Sequence, residues 1–133
     1  MVEEDLKHRT KSYALRIIRL VESLPPTRTA EVLGKQLLRA ATAVGANYRA
    51  ARRAKSPADF IAKLGIVEEE ADECLYWMEL LVESGLVPAA RLESLRDEGD
   101  QILAIIIASI RTARTRSRSG NAECGSRKET RSA

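Results

Sequence analysis

Apolar residues recur at spacings of three and four along four segments of the chain, which is the periodicity of amphipathic helices. The pattern predicts helices over residues 4–24, 30–54, 56–84 and 88–116. All four prolines, at positions 25, 26, 57 and 88, lie at junctions between these segments, where a helix tolerates them. Four amphipathic helices with short connections predict an all-α fold, an antiparallel up-down-up-down four-helix bundle.

The third segment has the clearest start and the most regular seam. Ser56 is placed to cap the helix, Pro57 occupies the first helical position, and Gly85 offers a stop. The seam repeats over three heptads, a pattern that requires a helical partner. Its members are Phe60, Leu64, Val67, Ala71, Cys74, Met78 and Leu81.

The other segments carry stripes of their own, and Thr29 is the predicted cap of the second. The stripe of the first segment holds Ala14, Ile17, Ile18, Val21 and Leu24, with Leu6, Tyr13 and Leu20 beside it. The stripe of the second segment holds Leu33, Leu37, Ala40, Val44, Asn47 and Ala51. The stripe of the fourth segment holds Leu92, Leu95, Gly99, Ile102, Ile106 and Ile110. Asn47 either fixes the helix register from a buried position or lies at the surface. Gly34 and Gly45 weaken the second helix, which suggests close packing there.

Several large residues of the third segment fall outside its seam. One interpretation is a core face wide enough to include them, and the other is a subunit interface with aromatic anchors. In the second case the two glutamates of the set could pair with arginines of a neighbouring chain. The predicted interface comprises Ile66, Glu69, Glu73, Tyr76, Trp77 and Leu80.

Charge is distributed unevenly along the chain. The formal net charge of +3 combines a net −2 over residues 1–110 with a net +5 over residues 111–133. The last residues also lack apolar periodicity. We therefore expect a bundle over residues 1–116 and a disordered basic tail over residues 117–133.

A basic cluster closes the second segment, at Arg49, Arg52, Arg53 and Lys55, with Lys63 downstream. Positive charge favours a helix C-terminus, which is its structural interpretation. The alternative is that the cluster contacts the phosphates of RNA or DNA, repeated around a ring of subunits.

Catalytic and metal chemistry find little support in the residues. His8 is the only histidine, so the acidic run 68–73 lacks the Glu-x-x-His pairs of a di-iron bundle, and we predict no metal, cofactor or catalytic residue. An enzyme site built from Glu69 or Glu73 with Tyr76 is the weaker alternative. With no signal peptide, and with an apolar run of only 102–110, we expect a cytoplasmic protein without a membrane partner or an evident small-molecule substrate.

Two stretches resemble a known family: QLLRAATAVGANYRAARRA over residues 36–54 and SPADFIAKLGIVEEEADECLYWMELL over residues 56–81. They are similar to the bacterial four-helix bundle proteins first noted as reading frames in insertions within large-subunit ribosomal RNA genes. The resemblance covers roughly residues 10–112. It implies a cytosolic homo-oligomer, a pentameric ring of bundles, with no known enzyme activity.

The resemblance also has a distant extension and two local departures. The fold is similar to the accessory bundle of diversity-generating retroelements, which binds a reverse transcriptase and nucleic acid; that analogy concerns fold alone. Ala50 stands where the family commonly has glutamate, and Cys74 where it commonly has threonine. Loss of the glutamate makes the surface beside Arg49 more basic.

Overall fold

The architecture is an all-α bundle. The computed structural model describes the backbone of residues 2–132 and the side chains of residues 5–120. The described residues form four helices and no strand: α1 (Val2–Glu22), α2 (Arg28–Arg52), α3 (Pro57–Glu83) and α4 (Ala89–Ser132). Each helix packs on its neighbours in the chain, and α4 also packs on α1. The predicted four-helix bundle is confirmed.

Local sequence explains where α2 and α3 begin. Ser56 caps α3 as predicted, because its hydroxyl accepts a hydrogen bond from the Asp59 amide at 3.1 Å, and Pro57 follows it. The predicted cap of α2 at Thr29 is wrong. Thr27 caps that helix instead, since its extended backbone lets the hydroxyl accept from the Ala30 amide at 3.2 Å.

The seams of α3 and α4 form most of the core. On α3, all of the predicted seam is buried except Phe60, which is partly buried against the core. The predicted α4 stripe, from Leu92 to Ile110, is buried throughout. Both helices thus bury the face that the heptad pattern indicated.

The face of α1 is rotated from the predicted stripe. Its buried residues are Leu6, Thr10, Tyr13, Ile17 and Leu20, whereas Ile18 is 37% exposed. Gly99 of α4 allows this rotation, because a Cβ at that position would lie 2.8 Å from the Tyr13 hydroxyl oxygen. The Tyr13 ring is therefore buried where α1 meets Gly99 of α4.

Close packing explains one of the two glycines of α2. A Cβ on Gly34 would lie 2.9 Å from Leu24 Cδ1, whereas one on Gly45 would make ordinary contacts no shorter than 3.6 Å. Asn47 is half-buried, and its Nδ2 donates to the carbonyl oxygen of Ala43 on the same helix at 2.9 Å. The Asn47 amide thus bonds its own helix and not a neighbouring one.

The fourth helix is longer than predicted. It continues through Arg116, and residues 117–120 are helical, because no proline follows Pro88 to interrupt it. The side chains of residues 121–133 lie outside the described residues. The division into a bundle over 1–116 and a disordered tail over 117–133 therefore stays a prediction.

Candidate interaction surfaces

The outer row of α3, comprising Ile66, Glu69, Glu73, Tyr76 and Leu80, faces away from the core. Ile66 is 43% exposed and Tyr76 is 53% exposed, although both are large and mostly apolar. Leu80 is partly buried. The row follows from spacings of three and four, which place its members on one side of the helix, away from the seam. The bundle therefore leaves an apolar surface uncovered along α3.

Trp77 lies at the edge of this row and behaves differently. Its side chain is partly buried and packs against the core, with the Tyr76 ring edge-on at a centroid distance of 5.1 Å. Its indole nitrogen is buried and has no hydrogen-bond acceptor among the described residues. Trp77 thus belongs partly to the wide core face, while Ile66 and Tyr76 remain open to solvent.

A three-residue ion-pair cluster crosses from α2 to the outer row. Arg39 contacts Glu70 at 3.2 Å and Glu73 at 2.9 Å, and the Glu70 carboxylate raises the pKa of Arg39. Glu73, which we expected to be available to a neighbouring chain, already has a partner within its own chain, whereas Glu69 is exposed. Nothing in one chain segment indicates the cross-helix partner of Arg39, so this ion pair was not predicted from the sequence.

Apolar exposure continues from α3 onto α2. Val32 is exposed, and it lies seven residues before Arg39, so the two share one side of α2. Apolar groups on two adjacent helices thus flank the Arg39 cluster. That combination of apolar surface and charge is typical of a protein–protein interface.

The second surface is a concavity at the end of the bundle where α1 begins and α2 ends. Lys7 from α1 joins Arg49, Arg52 and Arg53 around a volume of about 350 Å³. The three arginines are exposed, as is Lys55, which does not line this concavity. Sequence reasoning missed Lys7, because only antiparallel packing of α1 on α2 brings it to the cluster. We call these four residues the cationic concavity.

The two lysines near the start of α3 have local roles. Lys63 lies 2.6 Å from Asp59 Oδ2, and the backbone amide of Lys55 donates to the same oxygen at 3.1 Å. The hydrogen bond from Lys63 is the main cause that lowers the pKa of Asp59. Lys63 is therefore engaged in an ion pair away from the cationic concavity.

An apolar cleft of about 460 Å³ opens at the same end of the bundle. All four helices contribute to it, and it continues into a second volume of about 500 Å³ that shares Arg52, Phe60, Ala113 and Arg116. Arg52 thus borders both the cationic concavity and the apolar cleft. The lining residues are Leu6, Tyr48, Arg52, Phe60, Leu64, Ile105, Ala108, Ser109, Thr112, Ala113 and Arg116.

Reactive side chains are scarce in the described core. Burial raises the pKa of Cys74 to about 12, so its thiol stays protonated near neutral pH and is a poor nucleophile. Among residues 5–120 no three His, Cys, Asp or Glu side chains converge as ligands of a metal ion would. Nowhere in the described part of the chain is a helix long and apolar enough to cross a membrane.

Comparisons with known proteins agree on the fold. The sequence pattern of the 23S rRNA-intervening sequence protein family matches residues 4–108. A 1.70 Å crystal structure of a protein with unknown function from the S23 ribosomal protein family of Bacteroides thetaiotaomicron superposes with a TM-score of 0.78. It is 36% identical in sequence, over 84% of this chain and 99% of that chain. No curated protein matches, and neither match indicates an enzyme family.

Proposed function

This chain belongs to the family of 23S rRNA-intervening sequence proteins, and we propose that it acts as a non-enzymatic, cytoplasmic, homo-oligomeric binding or scaffold module. The observation that carries the proposal is the uncovered apolar surface along the outer row of α3. The family resemblance supports five subunits. The interface comprises Ile66, Glu69, Tyr76 and Leu80, with Trp77 and the Arg39–Glu73 pair at its edge.

Physical chemistry supports burial of this surface against another copy of the chain. Ile66 and Tyr76 lose little side-chain entropy on binding compared with lysine or glutamate, and each removes apolar area from water. Tyrosine is also among the residues most enriched at binding hot spots. A second copy of the bundle packed on this surface covers both side chains, and the core seam of each copy stays unchanged.

Substitution of Ile66 by aspartate tests the proposal against a matched position. Ile66→Asp places a charge in the interface, and we expect the dissociation constant to rise by about tenfold or more. Leu15→Asp is the control, because Leu15 is 45% exposed on α1, close to the exposure of Ile66. The measurement is sedimentation equilibrium at two protein concentrations about a hundredfold apart. A wild-type chain that is monomeric at both concentrations contradicts the proposal.

A second function is favoured by the convergence of Lys7 with the arginines of α2. Four cations from two helices form a concave surface suited to phosphates. In this second proposal the chain acts as a nucleic-acid-binding accessory protein through this surface, together with Lys55. Arg49→Gln should weaken binding of RNA or DNA. It should also reduce the slope of the logarithm of the binding constant against the logarithm of salt concentration by about one. Arg19→Gln, at the far end of α1, is the control. Binding that Arg49→Gln leaves unchanged contradicts this assignment.

A further inference from the structure

We propose that the apolar cleft beside the cationic concavity admits the base of one unpaired nucleotide, with its phosphate held by Lys7, Arg49 and Arg53. The proposal rests on the nucleic-acid-binding function above and specifies its substrate class as single-stranded. It also assigns the cleft, which neither the oligomer interface nor the phosphate contacts require.

The two sites are adjacent because they share Arg52. A ligand that occupies both must carry a negative charge at one end and an apolar group at the other. The cleft volume of about 460 Å³ leaves room for a base with its sugar. A nucleotide combines these properties, since its phosphate is anionic and its base has apolar faces.

The lining of the cleft suits a flat aromatic group. Phe60 is partly buried on one wall and lies beside aliphatic residues of the core, including Leu64. Such a ring can stack with any base, because every base has a π-face. Arg116 lies on the α4 side, where a guanidinium can stack or contact a second phosphate.

Polar groups in the cleft match the edge of a base. The Ser109 hydroxyl donates to the carbonyl oxygen of Ile105 at 2.8 Å, so it presents acceptor lone pairs to the cleft. Thr112 adds a second hydroxyl from the next turn of α4. These groups can accept hydrogen bonds from the exocyclic amines of adenine, cytosine and guanine and from the ring N–H of uracil, so they select little among the bases.

The cleft distinguishes unpaired from paired nucleic acid. Within a duplex the bases stack on each other and pair, so a base enters a protein pocket only after it is unstacked and unpaired. The cationic concavity alone would attract both forms through their phosphates. A preference for single strands at equal length and salt is therefore the signature of the cleft.

The test compares binding of the full chain to a labelled single-stranded RNA of about 12 nucleotides and to the corresponding duplex, by fluorescence anisotropy. Ala113→Leu narrows the cleft without changing charge, and Phe60→Ala removes the aromatic wall. Arg49→Gln reports on the phosphate contacts, and Arg19→Gln is the control. Thermal unfolding of each variant verifies that the fold persists.

We expect the wild type to bind the single strand at least about fivefold more tightly than the duplex. Ala113→Leu should abolish this preference and leave duplex binding unchanged, whereas Arg49→Gln should weaken binding to both forms. Equal, salt-sensitive binding to both forms by the wild type overturns the nucleotide cleft and leaves the nucleic-acid-binding function intact. No binding to either form overturns both.

Competition with free adenosine monophosphate distinguishes the two sources of an unpaired nucleotide. Displacement of the strand at millimolar nucleotide, lost in Ala113→Leu, identifies the free nucleotide as a ligand of the cleft. A strand preference that free nucleotide does not displace identifies the polymer as the ligand. A preference that survives both Ala113→Leu and Phe60→Ala overturns the proposal.

Discussion

Leu80 and Leu81 are neighbours on α3, yet they belong to different faces of the helix, about 100° apart around its axis. Leu81 is fully buried in the seam that holds the bundle together, whereas Leu80 lies in the outer row beside Tyr76. The two leucines have the same intrinsic helix propensity. They differ in burial because their side chains lie on different sides of α3. The inner face determines that the chain folds, and the outer face leaves large side chains such as Tyr76 exposed to solvent.

The same contrast appears in the polar residues of α3. The seam holds only the protonated thiol of Cys74 among otherwise apolar side chains, whereas the outer row carries Glu69 and Glu73 between its apolar members. Charges on the inner face would lose hydration without compensation. On the outer face they remain hydrated and keep the exposed row soluble.

The largest expected effect separates the two leucines directly. Leu81→Ala should lower the free energy of unfolding by about 2–5 kcal/mol, because it creates a cavity in the core. Leu80→Ala should lower the free energy of unfolding of a dilute sample much less, because Leu80 is only partly buried within the bundle. Urea unfolding followed by circular dichroism measures both. Equal losses for the two variants would remove the distinction between the faces.

A smaller effect is expected at the boundary between the faces. Arg39→Gln breaks exposed contacts with Glu70 and Glu73, and exposed ion pairs contribute little to stability because water screens them. The urea midpoint of a dilute sample should therefore change far less than in Leu81→Ala. Repeating the measurement at high protein concentration sharpens the comparison. A loss that grows with concentration locates Arg39 inside the subunit interface, and a constant loss locates it outside.

The smallest effect concerns pH at the start of α3. Lys63 and the Lys55 amide lower the pKa of Asp59 in the folded chain relative to the unfolded chain, where a value of about 3.9 is usual. The carboxylate therefore stabilises the fold above about pH 4, and this contribution is lost as the pH falls through the lower folded-state pKa. Asp59→Asn should remove that part of the acid dependence. Superimposable profiles of midpoint against pH for the two proteins would refute it.

Sequence reasoning succeeded on α3, where one helix determines the outcome by itself. The α3 seam repeats without a break, and Ser56-Pro57 marks its start, so both features follow from local periodicity and capping. The pattern also located most of the basic cluster and the residues of the outer row. Whether these residues bind other molecules stays a prediction.

Several misses involve a second helix, whereas the α2 cap at Thr27 and the length of α4 were missed within a single helix. Tyr13 is buried against Gly99, which is distant in sequence, so the pattern along α1 placed Tyr13 only beside the predicted stripe. Lys7 reached the cationic concavity, and Arg39 reached Glu73, only through antiparallel packing. Neither lysine nor arginine in a single helix indicates which neighbour it will face.

The sequence by itself determined the class of the fold, because helical periodicity, proline positions and caps act within a few residues of one another. It also determined which side of α3 enters the core, since the seam is the unbroken apolar row of that helix and its burial removes apolar area from water. The tertiary structure decided which charges meet and where the cleft opens. Those outcomes depend on distances between helices, which are set by side-chain volumes at contacts far apart in the chain, such as Tyr13 with Gly99.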